Sequence, residues 1–108
     1  TMLDMDEGAR YLGEVAIVPQ SSPINRSGLL FFNTLYDENA VCHLAVGMGY
    51  MDCLTDYHNR SNEECRSLGV NDSMIHTDFM IGCDTMNIDA ICANGETVRV
   101  FANGEWTF

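Results

Sequence analysis

The chain has 108 residues, 46% of them hydrophobic, and a formal net charge of −11 carried against five arginines and no lysine. That length suits one small domain burying roughly two-thirds of its unfolded surface. The charge excludes nucleic acid as a partner, because phosphates would be repelled, and no apolar run reaches the ~18 residues that cross a bilayer.

The five cysteines, Cys42, Cys53, Cys65, Cys83 and Cys92, are odd in number and none lies at Cys-x-x-Cys spacing. That fits neither a secreted disulfide framework nor a zinc ribbon, so they read as reduced, mostly buried thiols of a cytoplasmic protein. The first residues, Thr1-Met2-Leu3-Asp4, are acidic where a signal peptide would be basic, and they read like the interior of a longer chain.

In chain order, Val15 to Val18 is a short apolar strand closed by Pro19, with Glu14 at its entrance. Ser21 to Gly28 is a polar loop. Leu29 to Phe32 is a second apolar run with strand character. Asp37, Glu38 and Asn39 suit a helix start, where carboxylates meet the positive end of the dipole. A helix is therefore predicted from about Asp37 to Gly47, with Ala40, Leu44 and Gly47 on one face and His43 beside them. Ser61 and Glu64 form a capping box that opens a short helix ending near Gly69. Asn94-Gly95 between two strand-like runs predicts a type I′ hairpin, and Asn103-Gly104 repeats the device. The expected fold is α+β: a mostly antiparallel sheet, a packed central helix and a C-terminal β-meander. No repeats or low-complexity segments interrupt it.

The stretch Met74 to Gly82 reads as a buried strand. Side chains alternate along a strand, so His76 and Asp78 share one face about 7 Å apart, opposite Ile75, Thr77, Phe79 and Ile81. A carboxylate on such a strand needs compensation. A divalent cation would supply it, and so would a hydrogen bond from the imidazole. Other ligand-type residues in apolar surroundings are Glu14, Glu38 and His43. A set of carboxylates and imidazoles from several elements suits one or two cations such as Zn²⁺, Co²⁺ or Mn²⁺. A core role for His43 stays open at this point. No Gly-x-Ser-x-Gly elbow and no phosphate-binding glycine loop is present. Cys42 reads as packing, and His58, in a polar loop, is left without a role.

Four blocks carry a family resemblance: Leu12-Gly13-Glu14-Val15-Ala16, Phe32 to Ala40, Cys42-His43-Leu44-Ala45 and His76 to Gly82. Together they resemble the C-terminal part of the aminopeptidase T / aminopeptidase S (aminopeptidase II) metallopeptidases, family 29, which are dinuclear bacterial enzymes. The resemblance extends through Asn103-Gly104-Glu105-Trp106. It implies that Glu14, Glu38, His43, His76 and Asp78 are metal ligands and that Tyr50 is an active-site tyrosine, with Glu14 also among the catalytic residues. It implies two divalent ions (Zn, Co or Mn), peptide substrates with a free N-terminus, and a homodimer. The family takes a further glutamate ligand from a segment upstream of these blocks. Residues 1–108 are therefore expected to be a single domain, the metal-carrying C-terminal portion of a larger aminopeptidase, inactive when isolated. The alternative is a non-catalytic assembly or dimerisation module with an incomplete metal site.

Overall fold

A computed structural model describes residues 1–108. In chain order the regular elements are β1 (Leu12–Ala16), α1 (Pro23–Ser27), α2 (Thr34–Asp37), β2 (His43–Gly47), α3 (Asn62–Ser67), β3 (His76–Met80), β4 (Ile88–Ile91), β5 (Thr97–Ala102) and β6 (Glu105–Trp106). Single 3₁₀ turns lie between several of them. Two compact units result: Thr1–Val15 with Leu44–Phe79, and Ala16–His43 with Met80–Phe108. The content is α+β with antiparallel sheets, as expected. No helix is long and apolar enough to cross a membrane.

The first unit holds all but the end residues of a three-stranded sheet, order β1-β2-β3. At its edge the Gly47 N–H donates to the Tyr11 carbonyl at 2.8 Å and the Met48 N–H to the Ile75 carbonyl at 2.6 Å, so β2 runs antiparallel to both neighbours. The central helix predicted over Asp37 to Gly47 is not there: α2 begins at Thr34, a 3₁₀ turn ends at Ala40, and His43 stands on a strand. Burial along β2 alternates residue by residue, with His43, Ala45 and Gly47 buried, which is the period of a strand. Small residues spaced i, i+4 and i+7 also lie at even and odd strand positions, and the two flanking strands decide which period is used. Gly47 has φ +101°, and a Cβ there would strike the Ile75 carbonyl, so only glycine ends this strand.

The capping box at Ser61 is present. Its Oγ accepts the Glu64 N–H at 3.2 Å, and the Glu64 carboxylate accepts the Ser61 N–H at 2.7 Å. That last bond holds the Glu64 carboxyl below the ordinary carboxylate range. Cys65 anchors α3 with a fully buried side chain, and Gly69 ends the helix at φ +106°.

In the second unit β4, β5 and β6 form the expected antiparallel meander. The two Asn-Gly turns differ in kind. Asn103 and Gly104 both have positive φ, 49° and 76°, as a type I′ turn requires. At the first turn only Gly95 does, at 84°, while the Gly95 N–H returns to the Cys92 carbonyl at 2.9 Å and the Cys92 N–H to the Glu96 carbonyl at 2.8 Å. That is the three-residue hairpin with a left-handed glycine, not type I′. Asn94 instead turns its side-chain oxygen onto the Glu96 N–H at 3.0 Å. Arg99 grips Asp89 directly across β4 and β5, marking the register.

Leu29 to Phe32 forms no strand. The Asp37 carboxylate accepts the N–H groups of Phe31 and Asn33 at 2.8 and 3.0 Å, and this local clamp outcompetes sheet pairing. The expectation of mostly buried thiols is met in part: all five cysteines are unpaired, Cys42 and Cys65 are buried, Cys92 is half-buried, and Cys53 and Cys83 are exposed. Cys42 is held by the Val18 main chain, accepting its N–H at 3.2 Å and donating to its carbonyl at 3.3 Å, which is a structural role.

Because α3 depends on one N-cap, Ser61→Ala is expected to cost about 1 kcal/mol of stability. A shift of the urea midpoint with unchanged slope checks this, and an unmoved midpoint would mean that the helix is held by Cys65 alone.

Candidate metal centre

Glu14 is the third residue of β1, and His76 and Asp78 are the first and third residues of β3. The period of two puts His76 and Asp78 on one face. β1 and β3 flank β2, so their backbones lie about 10 Å apart at ordinary strand spacing. Only long side chains meet across that gap, and glutamate and histidine do. The Glu14 carboxylate lies 3.2 Å from His76 Nε2, and the Asp78 carboxylate 3.4 Å from the same nitrogen. Oxygens of Glu14 and Asp78 lie within 4.8 Å of each other. Tyr50, just beyond the end of β2, brings its hydroxyl to 3.3 Å from Nε2, with the two rings 5.2 Å apart.

The other ring nitrogen is committed elsewhere. His76 Nδ1 donates to the Met48 carbonyl at 2.7 Å. In the neutral ring this bond fixes the tautomer, leaving Nε2 as a lone-pair donor aimed among two carboxylates and a hydroxyl. An arrangement with so many acceptors around one nitrogen needs a positive charge, either a proton or a metal cation. Asp78 makes the same demand: its side chain is 10% exposed, and its Oδ1 has no hydrogen-bond partner, the 3.4 Å approach to His76 being electrostatic only. One imidazole nitrogen and carboxylate oxygens with an orphaned oxygen among them are a donor set that suits a borderline divalent cation.

His43 and Glu38 belong to the second unit. His43 opens β2, is 1% exposed, and has its Nδ1 3.0 Å from the Val41 carbonyl. In a neutral ring that contact puts the proton on Nδ1, as in His76. Metal-binding histidines commonly donate their second N–H to a backbone carbonyl in this way. Glu38 is half-buried in the 3₁₀ turn that follows α2. His58 stacks on Tyr57 at 3.8 Å between ring centroids in an exposed turn.

Sequence reasoning missed Met48. A main-chain carbonyl leaves no mark in its own residue type, but the flanking glycines of Gly47-Met48-Gly49 are a signal of close backbone approach.

In the metal-free chain, burial opposes the charged form of His76, but the Met48 carbonyl, Asp78 and Glu14 together outweigh it and raise the pKa above the ordinary 6.5. A folded value above the unfolded one stabilises the fold fully below pH about 6.5, and that contribution is lost as pH rises through the folded value. Replacing Asp78→Asn removes one of the two anions and should bring the His76 midpoint down in an NMR pH titration. An unmoved midpoint would mean that the carboxylate does not act on this ring.

The family described as thermophilic metalloprotease (M29) matches residues 1–106. Aminopeptidase 2 of Geobacillus stearothermophilus is 50% identical over 107 residues, 99% of this chain and 26% of that protein. Aminopeptidase AmpS of Bacillus subtilis (strain 168) is also 50% identical over 107 residues, with the same coverage of 99% and 26%. A solved structure of wild-type AmpT from Thermus thermophilus superposes with a TM-score of 0.79 at 41% identity, covering 99% of this chain and 26% of that one. The chain thus spans about a quarter of the length of the relatives it matches. With a family match over almost every residue, the chain belongs to the thermophilic metalloprotease (M29) family.

Proposed function

We propose that this chain carries the metal-holding portion of an aminopeptidase that releases N-terminal residues from peptides. In this proposal Glu14, Glu38, His43, His76 and Asp78 are the ligands of two divalent ions of the zinc, cobalt or manganese class. The observation that carries it is the convergence of His76 Nε2 with the Glu14 and Asp78 carboxylates, one Asp78 oxygen being buried without a hydrogen bond. Half-identical relatives are named aminopeptidases, which supports the substrate class.

Ions held there would supply Lewis acidity, lowering the pKa of a water towards neutrality and polarising the scissile carbonyl. The rest of the chemistry falls to side chains. A carboxylate, with Glu14 the candidate, accepts the proton of the attacking water and returns it to the leaving amine. Tyr50 is 48% exposed, and its hydroxyl lies 3.3 Å from the ligand nitrogen of His76, a position from which it would donate to the oxyanion as the carbonyl becomes tetrahedral. The free α-amine of the substrate, held in the same site, would limit cleavage to the N-terminal bond. Five unpaired thiols support a cytoplasmic location.

The second reading is an assembly module, and a homodimer is part of either. One observation favours it: Leu29, Leu30, Phe32 and Leu35 are 64–89% exposed within seven residues. Contiguous exposed apolar surface of this kind marks interaction sites. Sedimentation of the 108-residue chain separates a self-associating module from a monomer.

A protein of the relatives' full length, given Co²⁺ or Zn²⁺, is expected to hydrolyse aminoacyl-p-nitroanilides, while the 108-residue chain alone does not. His76→Ala in the long protein should lower kcat/KM by about a thousandfold or more, as loss of a transition-state-stabilising group does, and Cys42→Ser should leave it unchanged. Turnover by the short chain, or full activity of His76→Ala, would overturn the assignment.

A further inference from the structure

Asn71 lies between α3 and β3, outside every element that bears a candidate ligand. Its side-chain N–H group donates twice, to the Gly47 carbonyl at 2.6 Å and the Gly8 carbonyl at 2.8 Å. Its own carbonyl accepts the Gly49 N–H at 2.9 Å. The peptide Gly47–Met48 is thus held at its oxygen by the Asn71 side chain and at its N–H by the Ile75 carbonyl, 2.6 Å away. The next peptide, Met48–Gly49, is held at its N–H by the Asn71 main chain. Its remaining polar atom is the Met48 carbonyl, and that oxygen receives His76 Nδ1.

From these contacts we infer that Asn71 is a positioning residue of the centre: by clamping two successive peptides it aims the Met48 carbonyl and so selects the His76 tautomer that leaves Nε2 as the ligand atom. Tyr50 is the next residue after the clamp, and its hydroxyl lies 3.3 Å from His76 Nε2. The clamp closes on a segment packed too tightly to find another path. A Cβ at Gly13 would strike the Gly47 and Met48 carbonyls, and one at Gly49 would come within 3.2 Å of the Gly13 carbonyl. Among nearby side chains, asparagine meets the need because one amide supplies two N–H donors to two carbonyls; aspartate of the same shape supplies none. The consequence for cations rests on the function proposed above, whereas the tautomer does not.

The test uses the 108-residue chain and three variants, Asn71→Ala, Asn71→Ser and Ser61→Ala. Long-range ¹H–¹⁵N correlations at alkaline pH, without metal, report the His76 tautomer, and titration with Co²⁺ followed by its absorption spectrum reports affinity. The wild-type ring is expected as the Nδ1–H form. Both Asn71 variants should show mixed tautomers and bind Co²⁺ about ten- to a hundredfold more weakly, the usual penalty for losing a group that orients a ligand. Ser61→Ala should melt earlier yet keep the wild-type tautomer and affinity, which separates positioning from general destabilisation. If Asn71→Ala does not fold, Asn71→Ser, which keeps one donor, decides. Wild-type tautomer and affinity in a folded Asn71 variant, or equal changes in Ser61→Ala, would overturn the inference. If the wild-type chain takes up no Co²⁺, the metal-holding role proposed for this chain fails, and the tautomer alone decides the part played by Asn71.

Discussion

Two carboxylates and a hydroxyl gather around one imidazole nitrogen, and the opposite nitrogen of the ring is tied to a backbone carbonyl. The protonation of His76, and with it the charge that faces Glu14 and Asp78, depends on that tie. Were Nδ1 not tied to the Met48 carbonyl, the neutral ring could carry its proton on Nε2 and donate it to Glu14 or Asp78, satisfying one carboxylate by a hydrogen bond alone. The tie prevents this in the neutral ring, so the excess of negative charge persists and must be answered by a proton or a cation.

Backbone economy around β2 makes the tie possible. Gly13 and Gly47 let main chains approach within distances that no Cβ allows, Gly49 is nearly as tight, and the carbonyls exposed by that approach are then collected by Asn71 and His76. Buried carbonyls demand partners, and here the demand is met by side chains that also serve the site. Rigidity thus follows from ordinary hydrogen-bond satisfaction. The same logic holds for His43, whose Nδ1 is engaged by the nearby Val41 carbonyl. In both histidines a local backbone contact puts the proton of the neutral ring on Nδ1.

Local signals were legible where their geometry is closed within a few residues. Ser61 with Glu64, the Gly69 stop, the period of His76 and Asp78, and the C-terminal meander all appear in the fold as the residue types indicate. Asn103-Gly104 takes the expected turn. Asn94-Gly95 does not, because the flanking Cys92 and Glu96 pair one residue further out and need only one left-handed position. The hydrophobic run Leu29 to Phe32 misled for a similar reason: the decisive partner is a carboxylate six residues away, Asp37, whose residue type equally suits a helix start.

The sequence by itself determined the α+β class, the capped helix, the meander, the family and the residue types of the candidate centre, since these follow from short-range periodicity, turn chemistry and quoted motifs. Only the tertiary structure decided that His43 stands on a strand, because Ala40 to Gly47 satisfies helical and extended spacing alike and two neighbouring strands break the tie. It also decided the distances from Glu14 to His76 and Asp78, which come from two strands, β1 and β3, of one sheet. The work of Met48 and Asn71 was likewise invisible beforehand. A carbonyl acceptor is common to every residue, and an asparagine in a loop has many local uses. What gives these two their meaning is the position of the atoms they face, and long-range contacts alone create it.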